Sequence, residues 1–211
     1  MSEPRIRQQG FSEYIYQRYD ILKELGDCCA ALGDFREAGD YYLQATRLFP
    51  GRSDAYTGLG LLAVRTGQLE LAQQALNRAV ELDPDSHAAW GGLATMHQQL
   101  GDLESAWLMY QRCMEKNAHD EMFLMGFFQT AWKLDRLESV RPLLAEHVRT
   151  CPESTNIAYC LGALLARMGE VDQAREVLED LLQRDAEHDK ARTLLAQVQQ
   201  VASQTQEARS A

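Results

Sequence analysis

The strongest constraint on this chain is an internal repeat of 34 residues. Similar segments recur at this spacing or at twice this spacing: ALGD at 31–34, RTGQ at 65–68, QLGD at 99–102 and RMGE at 167–170, with a degenerate KLDR at 133–136. Five units tile residues 19–188 without an insertion, at 19–52, 53–86, 87–120, 121–154 and 155–188. A fixed period of this length is typical of architectures in which each unit buries its apolar face against the next one.

Each unit is predicted to form two antiparallel helices. In the second unit the apolar residues are three or four apart, as on one helix face. They are Tyr56, Leu59 and Ala63 in one segment and Leu69, Ala72, Leu76 and Ala79 in the next. Position 15 of the unit is Gly in four of the five copies, which predicts a left-handed end to the first helix. Small residues at positions 8 and 20 are expected to let the two backbones approach closely.

The residues at positions 4–8 carry a resemblance to a known family. The segments YTGLG at 56–60 and WGGLA at 90–94, with Ala, aromatic and Pro residues at fixed later positions, resemble the tetratricopeptide repeat (TPR). The resemblance implies an all-α fold, an α-solenoid in which helical hairpins form a right-handed superhelix with a C-terminal capping helix.

The segments outside the repeats are expected to close the array at its two ends. Residues 1–18 are predicted to be an N-terminal extension or helix, with Phe11 as hydrophobic staple and Ser12 as N-cap. Its tyrosines are expected either to cap the first repeat or to form a second contact surface. Residues 189–201 are predicted to be the capping helix and residues 202–211 a disordered tail.

The charge of the chain restricts its partners. With 31 acidic and 21 basic side chains the formal net charge is −10, so nucleic acid and anionic membranes are repelled on average. Residues 1–9 lack the apolar core of a signal peptide, and no apolar run reaches the ~20 residues of a membrane span. We therefore expect a cytoplasmic protein without membrane insertion, whose partner is a protein or peptide with an apolar, neutral or basic segment.

In TPR proteins the first helices line a concave groove, which implies that positions 2, 5, 6, 9, 12 and 13 form a peptide-binding surface. The candidate groove residues are Lys23, Asp27, Leu61, Val64, Arg65, Gln98, Met122, Met125, Gln129, Trp132, Tyr159 and Arg167. Glycines at 58, 91, 92 and 126 are expected to let a ligand backbone come close. Alternatively, Met125 and Trp132 only fill gaps between adjacent repeats. The acidic tails of heat-shock chaperones are not expected as ligands, because Asp27, Gly58, Ala88 and Gly92 replace polar or basic residues of the chaperone-binding pattern.

The fourth repeat departs most from the pattern. Phe128, Asp135 and His147 replace small residues, and Pro142 falls inside the second helix, where it predicts a kink. The bulky residues are expected either to splay the helices and expose part of 122–125 as a pocket or self-association patch, or to form a locally repacked core.

No motif indicates catalysis. The five histidines, at 87, 97, 119, 147 and 188, lack paired ligand spacing, and no phosphate-binding loop occurs. The five cysteines form no CxxC pair and are expected to be reduced thiols. The sequence therefore predicts no enzyme, no cofactor and no metal.

The sequence favours a non-enzymatic protein–protein interaction module, a scaffold, adaptor or chaperone-like protein that binds a peptide segment in its groove. One alternative is a homo-oligomeric scaffold that assembles through repeat four or through the tyrosine-rich N-terminal helix. Another alternative is a regulatory or recruiting subunit of a larger enzyme complex.

Overall fold

The structure is a computed structural model that describes the backbone of residues 3–210 and the side chains of residues 13–204. All regular secondary structure in this range is α-helical, which confirms the all-α prediction. The helices are α1 Glu3–Leu32, α2 Phe35–Leu48, α3 Ser53–Arg65, α4 Leu69–Leu82, α5 His87–Leu100, α6 Leu103–Lys116, α7 Glu121–Leu134, α8 Leu137–Thr150, α9 Thr155–Arg167, α10 Val171–Arg184 and α11 Asp189–Ser210.

The helices form two compact units, the first with α1–α6 and the second with α7–α11, divided between Lys116 and Asn117. Inside each unit every helix packs against the helix that follows it. Helices α3, α5, α7 and α9 begin at position 1 of their repeats, as a helical hairpin of 34 residues requires. The first helix of each repeat is therefore held in place by its own second helix.

A left-handed residue at position 15 ends the first helix of each repeat. Gly33, Gly67, Gly101 and Gly169 have φ between 75° and 89°, a region that glycine adopts without a steric cost. In the fourth repeat Asp135 takes the same conformation with φ 57°. The irregular repeat thus keeps the geometry of the turn although it lacks the glycine, since Asp tolerates this region better than most residues.

The glycine at position 8 makes room for the side chain at position 24. A Cβ atom on Gly60 would lie 2.5 Å from Cγ of Leu76, and one on Gly162 would lie 2.7 Å from Cδ2 of Leu178. The large apolar side chain at position 24 therefore requires these glycines, and it is buried in all five repeats. The backbone N of Leu76 would also lie 3.3 Å from a Cβ on Gly60, so the two helices come close at this point.

The fourth repeat is packed as a core. Phe123, Leu124, Phe127 and Phe128 are buried, and only Met122 of the run 122–125 is strongly exposed, at 63%. This favours the repacked-core interpretation over an exposed patch. Pro142 is the sixth residue of α8, which continues on both sides of it, and a kink at this point stays a prediction.

Both ends of the array differ from the sequence-based expectation. Helix α1 begins at Glu3, so Ser12 lies inside a helix and is not its N-cap; the side chains of Phe11 and Ser12 lie outside the described ones. Helix α11 continues through 202–210 to Ser210 because neither Gly nor Pro follows Asp189 to end it. None of the helices in the described range combines the length and the apolarity that a membrane crossing needs.

The close approach at Gly60 gives a testable pair of substitutions in the first unit. Gly60→Ala should lower the free energy of unfolding by about 1–3 kcal/mol, because its methyl group overlaps the buried Leu76 side chain. Gly39→Ala is the matched control within a helix, since its Cβ would lie 3.5 Å from Cδ2 of Leu62, an ordinary contact. It should raise the free energy of unfolding by about 0.5–1 kcal/mol. Urea unfolding followed by circular dichroism measures both, and changes of the same sign would contradict this packing.

Candidate functional site

In the first unit two charged groove candidates, Lys23 and Asp27, are bonded to each other. Nζ of Lys23 lies 2.6 Å from a carboxylate oxygen of Asp27, and the hydroxyl of Tyr42 donates to the other oxygen at 2.7 Å. The hydrogen bond with Asp27 raises the pKa of Lys23. The carboxylate of Asp27 is therefore already paired within the protein.

The other candidates of the first unit are also engaged. Val64 is buried in a core cluster with Leu76 and Leu93, so it has little surface to offer a ligand. The guanidinium of Arg65 lies over the ring of Phe35, 4.6 Å from its centroid, and donates to a backbone carbonyl. Leu61 is half-buried, and Gln98 accepts a hydrogen bond from a tyrosine hydroxyl at 3.1 Å.

Two of the glycines expected to admit a ligand backbone, Gly58 and Gly92, have partners within the first unit instead. A Cβ on Gly58 would lie 2.6 Å from the ring of Tyr42, and one on Gly92 would lie 2.7 Å from Leu76. Both neighbours are position-24 side chains of the preceding repeat. These glycines are thus explained by repeat packing, without a ligand.

In the second unit the structure brings several candidates together. Met125 and Gln129 of α7 and Tyr159 of α9 line one cavity of about 510 Å³. Phe128 and Cys160 add apolar wall, and the remaining lining residues are Asn156, His188, Asp189 and Lys190. The cavity combines a flexible thioether and aromatic rings with a few polar groups, which is the composition typical of ligand sites.

A second cavity of about 400 Å³ also has Tyr159 in its lining. It is lined by Trp132 and Arg167 and by apolar residues of α9–α11, including Val198 and Val201. The guanidinium of Arg167 lies 4.4 Å from the centre of the Trp132 ring and donates to Asp135 at 2.9 Å. The indole is therefore held between a cation and the ring of Phe128, whose centroid is 5.6 Å away. Met122 does not line either cavity.

Cys160 and His188 share the first cavity but do not form an activated pair. Burial, helped by the charge of Glu121, raises the pKa of the Cys160 thiol to about 11. Nδ1 of His188 accepts the backbone N–H of Ala191 at 3.1 Å and so caps α11, while its ring stacks on Tyr159. A protonated thiol beside an imidazole that caps a helix is suited to binding and not to nucleophilic catalysis.

The sequence reasoning missed the contribution of α11, which it treated only as a cap. Asp189 occupies the place of position 1 in a sixth unit, so Leu194, Gln197 and Val201 fall at positions 6, 9 and 13. These are groove positions in the preceding repeats, and all three residues line the second cavity. Continuing the 34-residue register by one helix would have found them.

Comparison with known proteins identifies the family. The protein-family model described as "Cilia and flagella-associated protein 70 C-terminal domain" matches residues 7–192, which is most of the chain.

Curated relatives are similar over part of their length. Tetratricopeptide repeat protein 7A of Homo sapiens is 31% identical over 111 residues, 50% of this chain and 13% of that protein. The type IV pilus assembly protein PilF of Pseudomonas aeruginosa is 28% identical over 131 residues, 61% of this chain and 52% of that protein. Protein CTR9 homolog of Arabidopsis thaliana is 39% identical over 71 residues, 33% of this chain and 6% of that protein. The chain thus spans at most about half the length of these relatives.

Solved structures share the fold. The structure of PilF from Pseudomonas aeruginosa superposes with a TM-score of 0.77 at 14% identity, covering 93% of this chain and 89% of that one. YrrB, described as a TPR protein with an unusual peptide-binding site, has a TM-score of 0.62 at 19% identity, covering 81% and 88%. The α-solenoid class and the resemblance to tetratricopeptide repeats are therefore confirmed.

The raised pKa of Cys160 predicts slow alkylation. At pH 8 only about one thiol in a thousand is ionised when its pKa is about 11, against roughly a quarter for an ordinary cysteine. Cys160 should therefore react with iodoacetamide at least a hundredfold more slowly than the exposed Cys28, as judged by mass spectrometry over time. Equal alkylation rates of Cys160 and Cys28 in the folded protein would show that the thiol of Cys160 is accessible to solvent and reagent.

Proposed function

Because the chain belongs to the family of the cilia and flagella-associated protein 70 C-terminal domain and is built from tetratricopeptide repeats, we propose that it is a protein–protein interaction module whose second unit binds a peptide segment. TPR proteins generally mediate interactions between proteins. The finer part of the proposal is the location of the site on α7, α9 and α11 and the kind of segment that it takes.

One observation carries this proposal: two neighbouring cavities share Tyr159. Met125 and Gln129 line one of them, and Trp132 and Arg167 line the other. Alternate side chains of an extended peptide lie about 7 Å apart on the same face, so a single segment can place one side chain in each cavity. Tyr159 would then lie under the backbone between them, where aromatic residues contribute most to binding.

The lining indicates the chemistry of the segment. Met125, Phe128 and Cys160 present an apolar wall, and the thiol is neutral because its pKa is raised. The guanidinium of Arg167 is already paired with Asp135, so it offers an acidic peptide less attraction than its charge implies. With a net charge of −10 on the chain, a segment with apolar anchors and neutral or basic flanks fits best.

A non-catalytic role accords with the state of the same side chains. The cavity brings a thiol and an imidazole together, yet the thiol stays protonated and Nδ1 of His188 is used as a helix cap. TPR families are typically interaction modules. The peptide-binding site described for YrrB, which has a similar fold, supports the same use of the repeat.

Self-association is a second candidate function, favoured by the outer face of α1. Tyr14, Ile21, Leu25 and Leu32 are exposed by 40–79%, and their spacing of seven, four and seven residues places them within about 40° of one another on the helix. The residues at positions 3 and 7 of every later repeat are buried, whereas Ile21 and Leu25 at the same positions of repeat one are not. A second copy of the chain would cover these four residues. In an antiparallel pair of α1 helices, Ile21 of one copy lies against the same four residues of the other copy. In repeat four, by contrast, Met122 is the one strongly exposed residue among its described apolar side chains.

Peptide binding is tested with a phage-displayed library of random linear peptides and fluorescence polarisation on a selected peptide. Tyr159→Ala should weaken binding roughly thirtyfold, corresponding to about 2 kcal/mol for a central aromatic residue. Tyr41→Ala is the matched control, since Tyr41 is equally half-buried but lies on α2 of the first unit, and it should leave the affinity unchanged. If no sequence is enriched, or if both variants behave alike, the site is not on α9.

Self-association is tested by light scattering on an analytical size-exclusion column. The wild-type chain should elute as a dimer at micromolar concentration. Ile21→Glu should elute as a monomer, because burying a charged side chain between two α1 helices is unfavourable. Leu100→Glu should remain a dimer, since Leu100 is exposed by 58% against 57% for Ile21 but lies on α5. A wild-type monomer would contradict this second function and leave the peptide-binding proposal standing.

A further inference from the structure

Three metal-ligating side chains meet in the second unit, away from the two cavities. His119 lies in the loop before α7, and His147 and Cys151 lie at the end of α8. The potential ligand atoms of the three residues all lie within 4.8 Å of one another. His147 and Cys151 are four residues apart and so share a helix face, whereas His119 joins them only through the fold. A search for paired spacing in the sequence does not detect this arrangement.

The imidazole of His147 occupies an unusual place for a polar group. It is only 3% exposed, at position 27 of the repeat. The other repeats have small or apolar residues there, Ala45, Ala79, Cys113 and Leu181. A polar side chain at such a position costs free energy unless its nitrogen atoms find partners.

One nitrogen of this ring has a partner that determines the tautomer. The hydroxyl of Ser154 donates to Oε2 of Glu121 at 3.1 Å, and Nε2 of His147 lies 3.1 Å from the same hydroxyl oxygen. A serine hydroxyl has one proton, and here the carboxylate receives it. Its oxygen must therefore accept from Nε2–H of His147, so the neutral ring carries its lone pair on Nδ1.

That lone pair has no hydrogen-bond partner although its atom is buried. Nδ1 of His147 is one of two such side-chain atoms in the described part of the chain. Ser154, in turn, is the N-cap residue of α9 but makes no capping bond with its side chain. The Ser154 hydroxyl thus contacts the imidazole of His147 and does not form a capping bond, which would be worth about 1 kcal/mol. This loss indicates that the fixed orientation of the imidazole has a role of its own.

We propose that His119, His147 and Cys151 bind a zinc ion. Two imidazole nitrogens and a thiolate are ligands that zinc prefers, and a water molecule completes a tetrahedron. Ligand atoms around zinc are about 3.3–3.7 Å apart, so the present separations need to close by roughly 1 Å. His119 is exposed in a loop and its side chain can make this movement. On binding, the thiol of Cys151 loses its proton to solvent and the sulfur bonds to the metal.

The two hydrogen bonds that connect Glu121, Ser154 and His147 are of the kind that orients zinc-bound histidines. A histidine ligand usually donates its second ring N–H to an oxygen that fixes the ring, and losing this support weakens metal binding by about 10- to 100-fold. The ion would tie the loop before α7 to the end of α8. It would thus cross-link the loop that precedes repeat four to the end of the second helix of that repeat, the helix that contains Pro142.

The experiment uses the full chain, freed of metal with a chelator and titrated with Co²⁺ as a spectroscopic probe, followed by displacement with Zn²⁺. The wild type should show a thiolate-to-cobalt charge-transfer band that Zn²⁺ removes, and its unfolding temperature should rise with Zn²⁺. Cys151→Ser should abolish the band and the temperature shift. His119→Gln, at an exposed position, should weaken Co²⁺ binding at least tenfold, and Ser154→Ala should weaken it by about 10- to 100-fold.

Cys28→Ser is the matched control, because Cys28 is an exposed thiol on α1 in the first unit. It should retain the band and the affinity of the wild type. The proposal is overturned if the wild type shows no band, if the band survives in Cys151→Ser, or if it disappears in Cys28→Ser. If Cys151→Ser proves unfolded by circular dichroism, the result with His119→Gln decides alone, and an unchanged affinity in that variant rejects the site.

Discussion

The packing of the first two repeats depends on one side chain in each, the residue at position 24, which lies between two glycines. Leu76 is approached from one side by Gly60 of its own repeat and from the other by Gly92 of the next, and Tyr42 lies in the same way between Gly26 and Gly58. A Cβ on any of these glycines would come within 2.5–2.7 Å of the side chain. One large residue thus joins its own hairpin to the following one, which sets how closely successive first helices approach.

This repeated packing explains why much of the fold could be predicted from the sequence. The period of 34 residues, the glycine at position 15 and the alternation of large and small residues are all local, repeated signals, and five copies remove the ambiguity of any single one. The helix starts at position 1 and the left-handed turn at Asp135 were predictable in this way. The partner of the glycine at position 8 was not, because spacing along the chain does not tell which residue of the second helix points at it.

The site was predictable only in part, since burial and bonding decide which side chains of a helix face remain available. Positions assigned to the groove include Val64, which the core uses, and Asp27, which Lys23 and Tyr42 occupy. By contrast, Gln129 has the same repeat position as Asp27 but lines a cavity together with Met125 and Tyr159. The difference arises from the surroundings of each position, and a residue's position number does not tell which side chains of neighbouring helices surround it.

The role of α11 follows from its being half of a repeat. It has the register of a first helix, and its outer surface is partly polar, as on a capping helix. Because the register is kept, the same helix presents its groove positions beside those of α9, and Val198 and Val201 become the wall of a cavity. A cap without the repeat register would shield the core equally well but would leave Tyr159 and Trp132 on an open surface. The capping helix and the proposed binding surface therefore share residues, and a substitution such as Val201→Ser is expected to alter the cavity while the core around Leu178 and Leu181 stays intact.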